Sequence, residues 1–475
     1  MVIILSEFNK NADKLVVSFK FPPNNDISGI IVAKRIINDN IKVDVLHNKN
    51  DDAESIDLDL EDFINERMEV SVTSKRDSVD CIFNFIEEGM KQIDSKSYRE
   101  IYSRSWYMSN HYLALEYKFS HPDVVWTAEF SDPVLRNMQG NIKNYKSAVL
   151  DNPEYIDKLN RNIKSRGFKP LDNPSNTFYI AEYMTFIFAD RIIFTNENQR
   201  EMMLEPYGED IRKLVFDKSQ IMPHPTLDDK YYHIKESDIK LSDDDINIAY
   251  FGTYYYTLRH FEPLFHAYES LTHQFRNKIK FHIFINRDDF LNVMMDGMEF
   301  RDNIIIRKPL DYLEFLNATT KFDILLINDT ITDSRFEVNP YLPSKLSDYK
   351  GSSKDIWAIY ENGSTLSKID AKYKSSMTDY RQAQNVLVEI LKDHGYEDEN
   401  FSFDEYHFEK RITDLNAIVR KEFDAKNKLA QKNSRLNREI KKLRAENERL
   451  KHENDEIMSS NSWKITKPFR NLRNK

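Results

Sequence analysis

Glycine is scarce in this sequence, with 10 in 475 residues, about 2% against an average usage near 7%. No stretch gathers them into a phosphate-cradling or dinucleotide-binding loop, which excludes P-loop NTPases and standard nicotinamide enzymes. Cysteine is nearly absent. Cys81 alone can form neither an intrachain disulfide nor a cysteine-based metal site, so a reducing compartment, the cytoplasm, is expected. The twelve histidines are scattered without HxH or HxxxH spacing, which excludes a structural zinc site, and no GxSxG elbow occurs. Long apolar runs are missing too. The opening MVIIL before Ser6 is too short for a signal peptide, and nothing approaches 18 apolar residues, so neither export nor a membrane span is expected.

What is present reads as globular: 40% hydrophobic, 12% aromatic and 31% charged residues, in a chain long enough for two or three folded units. The net charge of −10 hides an asymmetry. From Arg420 to Lys475 there are 17 Lys and Arg against 8 Asp and Glu, a net of +9, which leaves −19 on the first 419 residues. The acidic body argues against a nucleic-acid partner, whereas the basic tail calls for an anionic one.

Leu15–Phe19 (LVVSF), a polar loop, a helical pattern through Ile30, Ile31, Ala33, Ile36 and Ile37 behind the cap Ser28, and then Lys42–Leu46 predict strand, helix, strand. Further strands are expected at 124–126, 191–195, 246–251, 279–285, 303–306 and 322–327. Repeated βα alternation in two stretches predicts an α/β protein with two Rossmann-like parallel sheets facing a cleft. The segment 223–245, with Pro223, Pro225 and Asp243–Asp245, contains the expected linker, giving a first domain over 1–235 and a second over 245–395. Asp57-Leu58-Asp59 matches a metal-binding DxD, but its acidic surroundings read as a solvated segment, and no metal site is expected.

After a connecting helix over 400–425, residues 426–458 carry Leu429, Leu436, Leu443, Leu450 and Ile457 at seven-residue intervals, with Asn433, Ile440, Asn447 and Asn454 four residues after each leucine. Leu at d with Asn at a predicts a parallel two-stranded coiled coil, hence a homodimer through residues 429–457. Glu439 with Arg444, and Glu446 with Lys451, have the spacing of pairs across such a dimer. A single amphipathic helix docked on its own domain is the alternative. The last segment, 459–475, interleaves Trp463, Ile465, Phe469 and Leu472 with five basic residues, which suits the headgroup layer of an anionic membrane. The expected location is therefore the inner face of the cell membrane, peripherally bound. A basic tail docked on the acidic body would use the same charges.

Chemistry is expected at the carboxyl ends of strands. In the first domain, Glu129 and Asp132 follow the strand at 124–126 and, with His111 from a helical stretch, are candidate site residues able to take a proton. His224, between two prolines, reads as a linker residue. In the second domain, Gly252 ends a strand, and Arg259 follows the aromatic loop Tyr254-Tyr255-Tyr256. Further on, Ser344, Lys345 and Asp348 stand at a predicted helix start, where a cation and a carboxylate three residues apart would meet a nucleotide's diphosphate and its ribose. An ordinary surface ion pair has the same spacing.

Leu342–Tyr349 (LPSKLSDY), followed by Asp355–Ile359 and Gly363-Ser364, resembles the P-x-K-L-x-[DE]-Y signature of GT-B glycosyltransferases of bacterial surface polysaccharide and teichoic acid assembly. Tyr250–Ala267 (YFGTYYYTLRHFEPLFHA) is similar to the first strand and helix of their donor domain, with Arg259 at the phosphate-binding basic position. Trp126–Pro133 (WTAEFSDP), Ala181–Met202 and Met222–Pro225 (MPHP) resemble the acceptor half, and SSNSWKITKPFR resembles a C-terminal ending common among bacterial glycosyltransferases. The likeness spans residues 15–360 and the tail. In one place the pattern departs: the Glu expected eight residues before Asp348 is Pro340, with Glu337 out of register, which leaves retention or inversion open.

The resemblance implies a nucleotide-sugar donor, most simply a UDP-sugar, and a glycan, teichoic acid or lipid-linked acceptor. No cofactor or metal is implied, because Arg259, Lys345 and backbone N–H groups would neutralise the departing diphosphate. Two alternatives share the fold: a polyol-phosphate transferase, and a non-catalytic coiled-coil membrane scaffold. A DNA-binding leucine zipper is not supported, since 409–428 mixes acids with bases.

Overall fold

The computed structural model describes residues 12–49, 56–138, 140–252, 261–286, 301–332 and 335–396, with eight positions between 436 and 451. The first half builds a seven-stranded sheet. Its strands are β1 (Lys14–Val17), β2 (Val43–Asn48), β3 (Ile64–Val70), β4 (Glu100–Arg104), β5 (Val125–Phe130), β8 (Arg191–Phe194) and β9 (Ser219–Ile221), in the order β3-β2-β1-β4-β5-β8-β9. A separate antiparallel pair, β6 (Val149–Leu150) with β7 (Ser175–Asn176), lies in a long connection. The helices are α1 (Ile27–Asp39), α2 (Val79–Ile93), α3 (Met108–Ser120), α4 (Pro153–Ser165), α5 (Thr177–Phe188), α6 (Glu197–Leu204) and α7 (Glu209–Lys218). The sheet pairings are parallel throughout.

The second half repeats the plan in six strands. They are β10 (Ile246–Phe251), β11 (Ile279–Phe284), β12 (Ile304–Arg307), β13 (Ile324–Asn328), β14 (Asp355–Tyr360) and β15 (Tyr373–Ser376), ordered β12-β11-β10-β13-β14-β15. Its helices are α8 (Glu262–Ser270), α9 (His273–Arg276), α10 (Tyr312–Thr319), α11 (Lys345–Gly351), α12 (Thr365–Lys368) and α13 (Tyr380–Asp393). Both sheets are all-parallel and doubly wound, as the sequence predicts. In each the order reverses beside its first strand, between β1 and β4 and between β10 and β13, where a crevice opens at the strand ends.

Local chemistry explains the element ends. The α1 helix starts at Asp26, whose carboxylate accepts from the Ser28 and Gly29 N–H groups, so Asp26 is the cap in place of the predicted Ser28; it stops at Asn40, which takes a left-handed conformation. Leu15, Val16 and Val17 are fully buried because both faces of a parallel sheet are covered. One core lies between the first sheet and α2, α3 and α5. The other runs from Val16 and Val45 through Ile30, Ala33 and Ile36 of α1 to Phe251, Leu325, Leu346 and Tyr349, so α1 is packed by both halves. Residues 12–396 accordingly belong to one compact unit, and 403–475 form a second.

In that second unit the described residues Leu436, Ile440, Leu443, Glu446, Asn447, Arg449, Leu450 and Lys451 are helical and exposed, and Arg449 pairs with Glu446 at 2.8 Å. The remaining predicted heptad positions, the connecting helix and the basic tail lie outside the described residues. No helix among those described is long and apolar enough to cross a membrane.

Candidate active site

Two crevices at strand ends meet in a cleft with a cavity of about 680 Å³. The first half supplies the N-terminal turn of α1, the residues after β4 (Ser105, Trp106) and those after β5 (Ser131, Asp132), together with His224. The second half supplies Thr330, after β13, and the segment Tyr341–Lys345.

At the floor lies Arg104, the last residue of β4. Its Nε donates to Glu129 Oε1 at 3.2 Å and its Nη1 to Ser28 Oγ at 2.7 Å. The other Glu129 oxygen accepts from Arg35 Nε at 2.9 Å and Tyr102 OH at 2.8 Å. Burial alone would raise the Glu129 carboxyl, but Arg35 and Arg104 outweigh it and hold it down at about 2. A carboxylate so held cannot take a proton from a hydroxyl near neutral pH. Glu129 does not line the cavity, which corrects its expected role: it fixes Arg104 in place.

His111 is corrected as well. It lies within α3, 1% exposed, with its ring against Trp126 and Phe130 and Nδ1 at 2.8 Å from Ser103 Oγ. Burial, helped by Arg104, lowers it to about 3, so it is a neutral core residue. Asp132 alone of the three predicted bases lines the cavity. Burial pushes its carboxyl above the ordinary aspartate value, against the opposing charges of Arg104 and Lys143, the direction that makes a carboxylate a stronger base.

His224 was legible only as a linker residue, yet it forms part of the cavity wall. Arg35 draws in this segment by donating to the Met222 and Pro223 carbonyls at 3.0 and 2.9 Å. His224 Nδ1 is buried with no hydrogen-bond partner among the described residues, and burial lowers the ring to about 3, leaving it neutral.

On the opposite wall, Lys345 begins α11 and reaches the end of β10: a Cβ built on Gly252 would lie 3.2 Å from Lys345 Nζ and 2.7 Å from Tyr250 OH. Glycine at 252 thus lets the amine and the strand end approach. Ser344 lines the cavity beside it and makes no capping hydrogen bond. With seven residues, α11 is too short for its dipole to contribute much. Asp348 turns away from the cavity, which corrects the expected shared crevice. Its Oδ1 accepts from Lys34 Nζ at 2.8 Å and Tyr312 OH at 2.7 Å, and it is 1% exposed. The Lys345 side chain reaches the end of β10, whereas the short Asp348 is caught against α1 and α10. Arg259 and the loop of tyrosines lie outside the described residues.

One group at the second crevice escaped the sequence reading. Asn328 ends β13 at the topological switch point, 1% exposed, and among the described residues neither its Nδ2 nor its Oδ1 has a hydrogen-bond partner. No pattern in the sequence marks it. Asp57–Asp59 forms a turn in which Asp59 N donates to Asp57 Oδ1 at 3.0 Å and Leu58 is buried. Among the described residues no group of three His, Cys, Asp or Glu is placed to hold a metal ion.

No protein-family profile matches the sequence, and no curated protein is significantly similar to it. Solved structures do match. Sucrose-phosphate synthase from Thermosynechococcus elongatus superposes with a TM-score of 0.51 at 11% identity, over 80% of this chain and 90% of that one. HepE of Anabaena, crystallised with UDP and glucose, gives 0.48 at 10% identity over 86% and 100%. WaaG, a glycosyltransferase of lipopolysaccharide biosynthesis, gives 0.44 at 11% over 80% and 90%. The two doubly wound sheets, the cleft at their strand ends and the superposition on sucrose-phosphate synthase identify the fold of this chain as GT-B.

Proposed function

We propose that the protein is a glycosyltransferase that moves a sugar from a nucleotide-sugar donor, a UDP-sugar, to a hydroxyl of a cell-envelope glycan or teichoic acid type acceptor. The observation that carries this reading is the position of Lys345, which brings its amine to Gly252 at the β10 end of the second crevice, where a diphosphate would sit. The sequence motifs around both residues support it. The hard step is departure of the nucleoside diphosphate. Lys345, with Arg104 held rigid by Glu129, supplies positive charge for that leaving group without a metal. Asp132 accepts the proton of the attacking hydroxyl. The neutral ring of His224 offers a hydrogen bond to a sugar hydroxyl.

The exposed side chains of Leu436, Ile440, Leu443 and Leu450 on helical backbone support a second copy as partner. Through the paired basic tails the dimer would rest on an anionic membrane. The test is to incubate the full chain with radiolabelled UDP-glucose, UDP-galactose and UDP-N-acetylglucosamine and a cell-envelope acceptor fraction, with EDTA present. Release of UDP with label on the acceptor is the expected result. Release of a nucleoside monophosphate from a polyol-nucleotide donor would mark a polyol-phosphate transferase. Absence of any nucleotide binding would mark the scaffold.

A further inference from the structure

The charge on the cavity wall is lopsided. Among the described lining residues, Lys75, Arg76, Arg104, Arg136, Lys143 and Lys345 face two carboxylates, Asp77 and Asp132. Glu129 does not redress this, since it is shared between Arg35 and Arg104. A nucleotide diphosphate on the second half brings about two negative charges, less than the wall carries. The surplus sits on the first half, around the loop 75–77 and the strap 133–147.

There the cations are held in place. Arg76 donates to Asp77 Oδ2 at 3.2 Å and lies over the Trp106 ring at 5.4 Å. Arg136 Nη1 donates to the Gly140 carbonyl at 3.0 Å, and Lys143 Nζ lies 5.1 Å from the Phe178 ring centre. Burial lowers the Lys143 amine even though Asp132, Asp77 and Glu182 all oppose the change. Trp106 and Tyr145, both exposed large apolar rings, line the same wall.

We propose that Arg76, Arg136 and Lys143 form a second anion subsite, separate from the donor site, that binds a phosphate group of the acceptor beside the hydroxyl that Asp132 deprotonates. The subsite rests on the glycosyltransferase reading and narrows its acceptor to phosphate-bearing polyols or glycans. A neutral glycan leaves the surplus positive charge of this wall without a counter-ion, and is disfavoured. Two sources present that chemistry, a soluble phosphodiester polymer and a phospholipid headgroup.

The test measures binding of the full chain to a poly(glycerol phosphate) oligomer, to vesicles of phosphatidylglycerol with phosphatidylcholine, and to a neutral maltooligosaccharide, with UDP binding recorded in parallel. The double variant R76Q/K143Q is compared with wild type and with K91Q, which removes a charge from the exposed face of α2. Expected is at least a tenfold loss of affinity for the polymer or the vesicles in R76Q/K143Q alone, with UDP binding retained as evidence of an intact fold. The phosphate source whose binding is lost is the one the subsite takes. Equal binding of the neutral oligosaccharide by wild type, or unchanged phosphodiester binding in the double variant, would overturn the subsite. Absence of UDP binding by wild type would instead strike the glycosyltransferase reading, a failure of a different kind.

Discussion

Glu129 and Asp132 stand three residues apart and face opposite electrostatic fates. Glu129 neutralises two buried guanidinium groups, so Glu129→Gln leaves Arg35 and Arg104 without a counter-charge and should lower stability by about 3–5 kcal/mol, read by urea unfolding. Because its folded pKa of about 2 lies below the ordinary 4.5, its stabilising contribution is full above pH 4.5 and is lost as pH falls through 2. Wild type should lose stability across that window more steeply than Glu129→Gln does. Asp132→Asn should instead leave stability and UDP affinity near wild type and cut turnover by roughly 10²-fold or more. The acid limb of the wild-type rate profile should lie above the ordinary aspartate range, since burial raises this carboxyl. Sequence reasoning brought both carboxylates to the right strand end but could not separate them, because what distinguishes them is the arrival of Arg35 from α1 and Arg104 from β4. His224 was missed for a similar reason: its place on the wall depends on two carbonyls caught by Arg35, 187 and 188 residues away in the chain.

At the scale of elements, α1 is the piece shared by both halves. Its Lys34, 1% exposed, pairs with Asp348 of α11 and also donates to Ser347 Oγ at 2.9 Å. Lys34→Met strands a buried carboxylate and should cost about 3–5 kcal/mol, whereas Lys34→Met with Asp348→Asn should recover ~2 kcal/mol or more of it, in a double-mutant cycle read by chemical unfolding. Additive effects would show that the two side chains do not interact. The strands that the sequence revealed, β1, β2, β5, β8 and β10 to β13, are compact apolar runs. Among those it did not reveal, β3 (INERMEV) lies at a sheet edge with exposed polar residues alternating along it, so the run of hydrophobicity breaks, and β4 (EIYSR) and β15 (YKSS) carry polar residues whose burial depends on distant packing. Helix α1 was legible from its period, but the burial of Lys34 and Arg35 within it was not, because their partners lie far away in the chain.

For the whole molecule, the fold was legible because two βα series recur with a Pro- and Asp-rich segment between them, and because the motif around Lys345 belongs to a recognisable cleft. The described part of the second unit leaves Leu443 63% exposed and Leu450 50% exposed on helical backbone, surfaces that a second copy would cover. Sedimentation velocity should therefore find a dimer, and Leu443→Asp with Leu450→Asp should give a monomer that still binds UDP; a monomeric wild type would remove the coiled-coil reading. The nucleotide site at Lys345 is the centre of the proposed activity. Its most direct test is calorimetric titration of UDP into wild type and Lys345→Ala. Saturable binding by wild type, weakened at least tenfold by loss of the Lys345 amine at the end of β10, is the expected result. Equal affinity in the two proteins, or no heat of binding in wild type, would contradict it.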